Sequence, residues 1–455
     1  MRLQDWWYTS LLTIRGELRP PLNADLHADV VIVGAGAAGL AAALRLLGSG
    51  KKVVLLDRNI CGGSSTGKSA GFLTPDSELE LSDLVRRFGP QGARDLWDVP
   101  TRGIRIMTDA VAKYGIACDL LPQDSLFVAK GREGDKDVRR EADARHQLGY
   151  PYRLYSTEEV PSVLGSPQYA GAVRYPECYG INAMLYAQGV KRALVDGGVE
   201  VYESSEVRSL SDHTVRTHLG SVTADQILIC ADKPNPAFSP YVRNVYHAQT
   251  FLSISEPLRE AEIHDLFPER PVQCWDTDLI YTYWRLTGDR RLLVGGGSLY
   301  STYARNDTTG PHIIEGVIRR LKAMLPSIRK AEFIQYWPGR IDMTRDLLPT
   351  IVRDPRAPWV HHVLGSVGLP WATFCGDFVA GRLLDNAAEG DAWSKYYRYF
   401  RPDRRFPLPV SLEAVLGKKV VFTMNNTWAK YYEVDVRAPT TPGGPPAVEP
   451  PSGRG

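Results

Sequence analysis

Three glycines and one acid near the start of the chain are spaced to do chemistry together. Gly34, Gly36 and Gly39 stand in a G-x-G-x-x-G pattern, and Asp57 follows about 20 residues later. In such an array the first glycine permits a tight turn. The second lets the backbone approach a pyrophosphate with no Cβ in the way, and the third lets a helix pack closely on a strand. Ala38 lies inside the same turn. An acid at this spacing accepts hydrogen bonds from ribose hydroxyls, and Arg58 follows it directly. The chemistry implied is binding of a dinucleotide, with its phosphates on the N–H groups of a helix N-terminus.

The elements needed to position these residues are present in the flanking sequence. Val30-Val31-Ile32-Val33 is an apolar, largely β-branched run of the kind a strand buried on both faces requires. Leu40 to Leu47 favours helix, Gly50 ends it, and Val53-Val54-Leu55-Leu56 forms a second apolar strand that closes on Asp57. Next comes Ile60 to Phe72, too polar and glycine-rich for a strand or helix. Its hydroxyls and amides suit a wrapped pyrophosphate and a flat ring system, and a flexible surface loop is the alternative.

From here the sequence resembles the FAD-dependent family of D-amino acid, glycine and sarcosine oxidases, with a pattern most similar to its gamma-glutamylputrescine oxidase branch. The family carries a G-x-S-x-x-x-x-G-type stretch after the acid-tipped strand. Gly63, Ser64, Ser65, Lys68, Ser69, Ala70 and Gly71 occupy it here with one additional residue. The strand leading to Val207 matches one that ends at the adenine half. The strand ending at Ala231 matches one that stops near the cofactor, although Asp232 replaces the usual glycine. Trp337-Pro338-Gly339-Arg340-Ile341-Asp342 through Pro349 resembles the family's W-x-G-x-x-x-x-T-x-D-x-x-P. Leu364 to Ala372 resembles its late glycine turn, with Gly365, Val367, Gly368 and Leu369 toward the flavin. The helix opening there would stabilise negative charge on a reduced ring.

The resemblance implies FAD as cofactor and hydride removal from a carbon–nitrogen bond, giving an imine that hydrolyses. Its partners would be a small-molecule amine and oxygen or another electron acceptor. Two departures bear on the substrate: the positions of the family's carboxylate-binding arginines carry Ile341 and Ser366. Asp342 would attract an ammonium group or cap a turn. Tyr281, Tyr283, Trp284 and Trp371 would box a methylene chain or cation, or else fill core. Tyr281 and Tyr283 share one strand face, opposite Trp284. His247 would sit near the cofactor or play a structural part, and Lys68 would reach a phosphate or the flavin, or stand in solvent. Tyr283, His247, Trp371 and Asp342 are the candidates for catalysis. An FAD-dependent dehydrogenase of a hydroxy acid and a non-catalytic flavoprotein subunit are the competing readings.

Fold class follows from the same resemblance: α/β, with a Rossmann-like FAD-binding domain interleaved with an α+β substrate domain on a large mixed sheet. The FAD-binding part would gather 1–74, 169–235 and 332–386, and the substrate part 75–168 and 236–331. A C-terminal extension at 387–437 and a disordered, Pro- and Gly-rich tail at 438–455 would follow. The charged run Arg132–Arg145 reads as a solvated helix face. A net charge of +2 argues against nucleic-acid binding. No apolar stretch reaches the roughly 18 residues of a membrane span. Six scattered cysteines without a C-x-x-C pair suggest neither zinc nor disulfides and fit the cytoplasm, and no metal site is expected. A homo-oligomer remains open.

Overall fold

The computed structural model describes residues 1–404 apart from 15, 77, 233, 235–238, 299–307 and 385–389, together with 412, 420 and 424. The expected tail at 438–455 and most of the extension at 387–437 lie outside these residues.

Strand Asp25–Val33 is the centre of an eight-stranded sheet. Val30, Val31, Ile32 and Val33 are all buried because both faces of the strand are covered. On one side it runs parallel to Val53–Leu56, with Val33 opposite Leu56, and Glu200–Tyr202 lies beyond. On the other side it runs parallel to Ser221–Ile229, which is followed by Val360–Leu364 in the same direction. The carboxyl ends of these strands therefore share one edge. Gly34, Asp57, Ala231 and Gly365 all follow soon after a strand at that edge, where open α/β sheets bind ligands.

Helices cover the sheet through unusually close backbone contacts. A Cβ on Gly39 would lie 1.8 Å from the Gly34 carbonyl oxygen, so the first helix, Ala37–Leu46, can sit directly against its turn. Helix Leu369–Leu384 crosses this helix where a Cβ on Gly376 would lie 1.8 Å from the Ala38 oxygen. The long helix Leu81–Tyr114 meets the start of Leu369–Leu384 in the same way, at Gly103 and Pro370.

The second unit is a nine-stranded mixed sheet. Val245–Pro257 runs antiparallel between Phe333–Thr344 and Arg291–Gly296. Tyr283–Leu286 and Gln273–Asp276 continue the sheet toward Ser125–Val128. Helix His312–Met324 packs Ile314, Val317 and Leu321 into the same apolar cluster as Phe251, Trp284 and Val294.

Several elements depart from the sequence-based expectation. Phe333–Thr344, Ala172–Tyr175 and Arg2–Leu3, expected with the FAD-binding part, all hydrogen-bond within the nine-stranded sheet. A glycine motif reports nearness to a cofactor and says nothing about which sheet carries it. Helix Gly131–Leu148 is not simply solvated, since Val138, Glu141, Ala142, Arg145 and Leu148 are buried along one face. Of the extension, helix Gly390–Phe400 places Tyr396 edge-on to Phe374 at 5.3 Å. Arg404 pairs with buried Asp346 at 2.6 Å. Burial alone would raise the Asp346 carboxyl, but Arg404 and Arg87 hold it below its ordinary value. Among the described residues, no helix is long and apolar enough to cross a membrane.

Gly376→Ala should cost about 2–3 kcal/mol, because the new methyl meets a backbone oxygen that cannot move independently. Gly316→Ala is the control, since its Cβ would meet nothing nearer than 3.6 Å. Urea unfolding should show a lowered midpoint for the first and none for the second.

Candidate functional site

A cavity of about 960 Å³ runs along the carboxyl edge of the eight-stranded sheet and on beneath the nine-stranded one. At its first end Gly34 adopts φ 101°, a left-handed value that other residues reach only with strain. Asp57 is turned in beneath this loop. Its Oδ2 accepts from the Ala35 N–H at 2.8 Å and its Oδ1 from the Asn59 N–H at 2.7 Å. Burial pushes the Asp57 carboxyl up and these two donors oppose it. The carboxylate borders the cavity and has lone pairs left for ribose hydroxyls. At the start of helix Ala37–Leu46, the Ala37 N–H donates to Thr66 Oγ1 at 3.0 Å, and a Cβ on Gly36 would come within 3.2 Å of that hydroxyl.

The stretch Ile60–Phe72 is held from several directions, unlike a flexible surface loop. Trp7 Nε1 donates to the Ser69 oxygen at 2.8 Å, Trp337 Nε1 to the Lys68 oxygen at 3.2 Å, and Tyr8 Oη to the Gly63 oxygen at 2.8 Å. Ser65 Oγ donates to the Arg340 oxygen, tying the loop to the W-x-G segment. Buried Arg285 donates from Nε to the Ala70 oxygen and from Nη2 to the Ile181 oxygen. Behind the loop, Glu203 accepts from the Cys61 N–H and from Lys191 Nζ.

The cavity gathers most of the residues expected to hold the cofactor. Gly34, Gly36, Ala38, Asp57, Arg58, Ser64, Ser65, Lys68, Ser69, Ala70 and Gly71 line it. So do Val207, Ala231, Gly339, Gly365, Val367, Gly368 and Leu369. Gly39 and Gly63 stand behind the wall, where Cβ atoms would strike the Gly34 oxygen and Tyr8 Oη. Of the catalytic candidates, Tyr283 and Asp342 line the cavity. His247 sits outside the wall and binds Asp342 Oδ1 through Nδ1 across the strand pair. Trp371 is buried in core, its Nε1 donating to the Pro75 oxygen at 3.3 Å. Tyr281 also lines the cavity, whereas Trp284 stacks on Tyr169 away from it.

These residues fit FAD. An acid stands ready for the ribose, a helix N-terminus for the pyrophosphate, and a gap for a flat ring is framed by residues 68–71, 339–341 and 365–369. Sequence reasoning did not single out Thr66, Glu203 or Lys191. Glu203, an acid after an apolar strand, was the available signal. It also missed Asp76, Glu78, Glu80 and Trp275 on the far wall.

Asp57→Asn should weaken FAD binding about tenfold to a hundredfold, because one oxygen becomes a donor facing the ribose hydroxyls. Titration of apoprotein with FAD, followed by flavin fluorescence, measures this. Unchanged affinity would remove Asp57 from the site.

A family model described as "FAD dependent oxidoreductase" (DAO) matches residues 29–382. Gamma-glutamylputrescine oxidoreductase of Escherichia coli is 26% identical over 394 residues, covering 84% of this chain and 90% of that protein. A probable oxidoreductase, OrdL, of Haemophilus influenzae is 26% identical over 376 residues, covering 80% and 85%. Among solved structures, glycine oxidase from Geobacillus kaustophilus superposes with a TM-score of 0.70 at 19% identity, covering 84% of this chain and 99% of that one. Ordered cradle, fold and family model agree, and the chain belongs to the DAO family of FAD-dependent oxidoreductases.

Proposed function

We propose that this chain oxidises a carbon–nitrogen bond of an amine, with hydride loss giving an imine that water hydrolyses to a carbonyl compound and a smaller amine or ammonia. The observation that carries the reading is the character of the wall facing the ring space. The two positions where carboxylate-binding arginines would stand hold Ile341 and Ser366, and both line the cavity. Opposite them are Phe72, Trp275, Tyr281 and Tyr283, with Asp76, Glu78 and Glu80 among them. Arginines at the rim are already paired, Arg86 with Asp83 and Arg140 with Asp137. Such a wall favours a cation over a carboxylate. The similarity to gamma-glutamylputrescine oxidoreductase supports the same direction.

FAD, when bound, supplies the two-electron acceptor. The protein's task is to orient the donor C–H, keep the reacting nitrogen neutral and exclude water. Tyr283 rests against Gly295, where a Cβ would come within 2.1 Å of its ring, so this phenol is fixed in one position. Burial pushes the Tyr283 hydroxyl up to about 12 and the Tyr281 hydroxyl well above its ordinary value. Both phenols therefore stay protonated near neutral pH and act as walls and donors, not bases. The first turn of helix Leu369–Leu384 borders the ring space, and its positive end would stabilise negative charge arising there. Oxygen or another acceptor then takes the electrons. Six unpaired, buried cysteines support a reducing, cytoplasmic setting.

Purified FAD-loaded protein, held anaerobic, should lose its visible flavin absorbance on mixing with primary or secondary alkylamines and keep it with 2-hydroxy acids. Bleaching by hydroxy acids alone would replace this reading with a hydroxy-acid dehydrogenase.

A further inference from the structure

Between strand Phe72–Leu73 and the long helix Leu81–Tyr114, Thr74, Asp76, Glu78 and Glu80 line the far wall of the cavity. Asp76 and Glu80 come to the buried face of helix Gly131–Leu148, where Glu141 projects. One carboxylate oxygen from each of the three lies within 4.8 Å of the others. Among the described residues, one cation meets them. Arg145 approaches Glu141 at 2.9 Å and Asp76 at 4.0 Å, and its guanidinium lies 3.4 Å over the Tyr175 ring. Three carboxyl groups thus share one guanidinium.

The cluster borders the cavity. Asp76 is 5% exposed, and its carboxyl group and that of Glu80 hydrogen-bond each other. Their other oxygens are occupied: Asp76 Oδ2 accepts from Thr74 Oγ1 at 3.1 Å, and Glu80 Oε1 from Trp275 Nε1 at 2.9 Å. Burial pushes both carboxyls up, Asp76 to about 7, and the neighbouring acids add to it. Asp76, Glu78 and Glu80 line the cavity, while Glu141 and Arg145 stand behind them. Tyr281 Oη bonds Glu78 Oε1 at 3.2 Å, and the rings of Phe72, Trp275 and Tyr281 complete the corner. A divalent ion fits poorly, because Arg145 already lies against Glu141. Aromatic faces mixed with carboxylates suit an organic monocation.

We propose that this corner binds a second, non-reacting cationic nitrogen of the substrate, which makes the substrate a diamine or polyamine. The assignment rests on the amine-oxidation reading above. Asp76, Glu78 and Glu80 act as specificity determinants, and the aromatic rings between corner and ring space accommodate the methylene chain.

The test uses FAD-loaded enzyme, anaerobic rapid mixing, and unbranched α,ω-diaminoalkanes beside n-alkylamines of matched length. The concentration dependence of flavin bleaching separates Kd from the limiting rate. Diamines should bind about tenfold to a hundredfold more tightly than monoamines, the range of one charge-assisted contact. Glu80→Gln should bring that ratio toward one, mainly by raising the diamine Kd. Glu78→Gln provides a second reading should the loss of the Trp275 contact impair folding. Equal Kd values for diamines and monoamines, or an unchanged ratio in both variants, would overturn the assignment while leaving amine oxidation standing. Failure of every amine to bleach the flavin would remove both. Stabilisation by Mn²⁺ or Ca²⁺ alone, lost in Glu141→Gln, would reassign the corner to a metal.

Discussion

The structure depends on backbone approaching backbone around helix Ala37–Leu46. The helix must sit close enough to its own turn for its N-terminal N–H groups to face a phosphate, and Gly39 allows that. The same helix is crossed at Ala38 by Leu369–Leu384, whose first turn frames the other end of the cavity. Two ends of a cofactor site, some 330 residues apart in sequence, are thus registered by one interhelical contact. A side chain at Gly376 would separate them. Gly103 adds the long helix to this stack, which extends the same constraint toward the substrate wall.

Electrostatically the cavity has two characters. At the nucleotide end, a helix N-terminus and Asp57 offer donors for phosphates and an acceptor for hydroxyls. Past the ring space the polarity reverses, and carboxylates set among aromatic rings predominate. On the proposed amine-oxidation reading, this reversal would orient a cationic substrate without any charged group having to touch the reacting carbon.

Legibility in the sequence followed the range of the interactions. Val30–Val33, the three glycines and Asp57 declare themselves because strand, turn, helix and acid are contiguous, and each residue type is dictated by its immediate neighbours. The loop at Ile60–Phe72 was readable as polar and special, but the contacts that hold it come from Trp7, Tyr8, Trp337 and Arg285, at separations no local pattern encodes. Sheet membership of Phe333–Thr344 was hidden for a similar reason, since pairing partners leave no mark within a strand. Glu141 and Arg145 misled because charge suggests solvent. Their i,i+4 spacing on the same face as Val138 was the overlooked cue. His247, read either as a neighbour of the cofactor or as structural, bonds Asp342 across the strand pair, a contact its own strand does not encode.

The six cysteines, described above only as buried and unpaired, have a practical consequence. They are distributed over the phosphate loop, the two large sheets' margins and the late helix, at Cys61, Cys118, Cys178, Cys230, Cys274 and Cys375. Cys230 borders the cavity, and the other five meet an alkylating reagent only when their own neighbourhoods open. Burial also holds the Cys118, Cys178, Cys230 and Cys375 thiols well above their ordinary value, so reactivity follows opening and not intrinsic nucleophilicity. Nature has in effect placed a set of silent gauges through the molecule, and pulse-labelling them in order would chart which layer loosens first when the nucleotide departs.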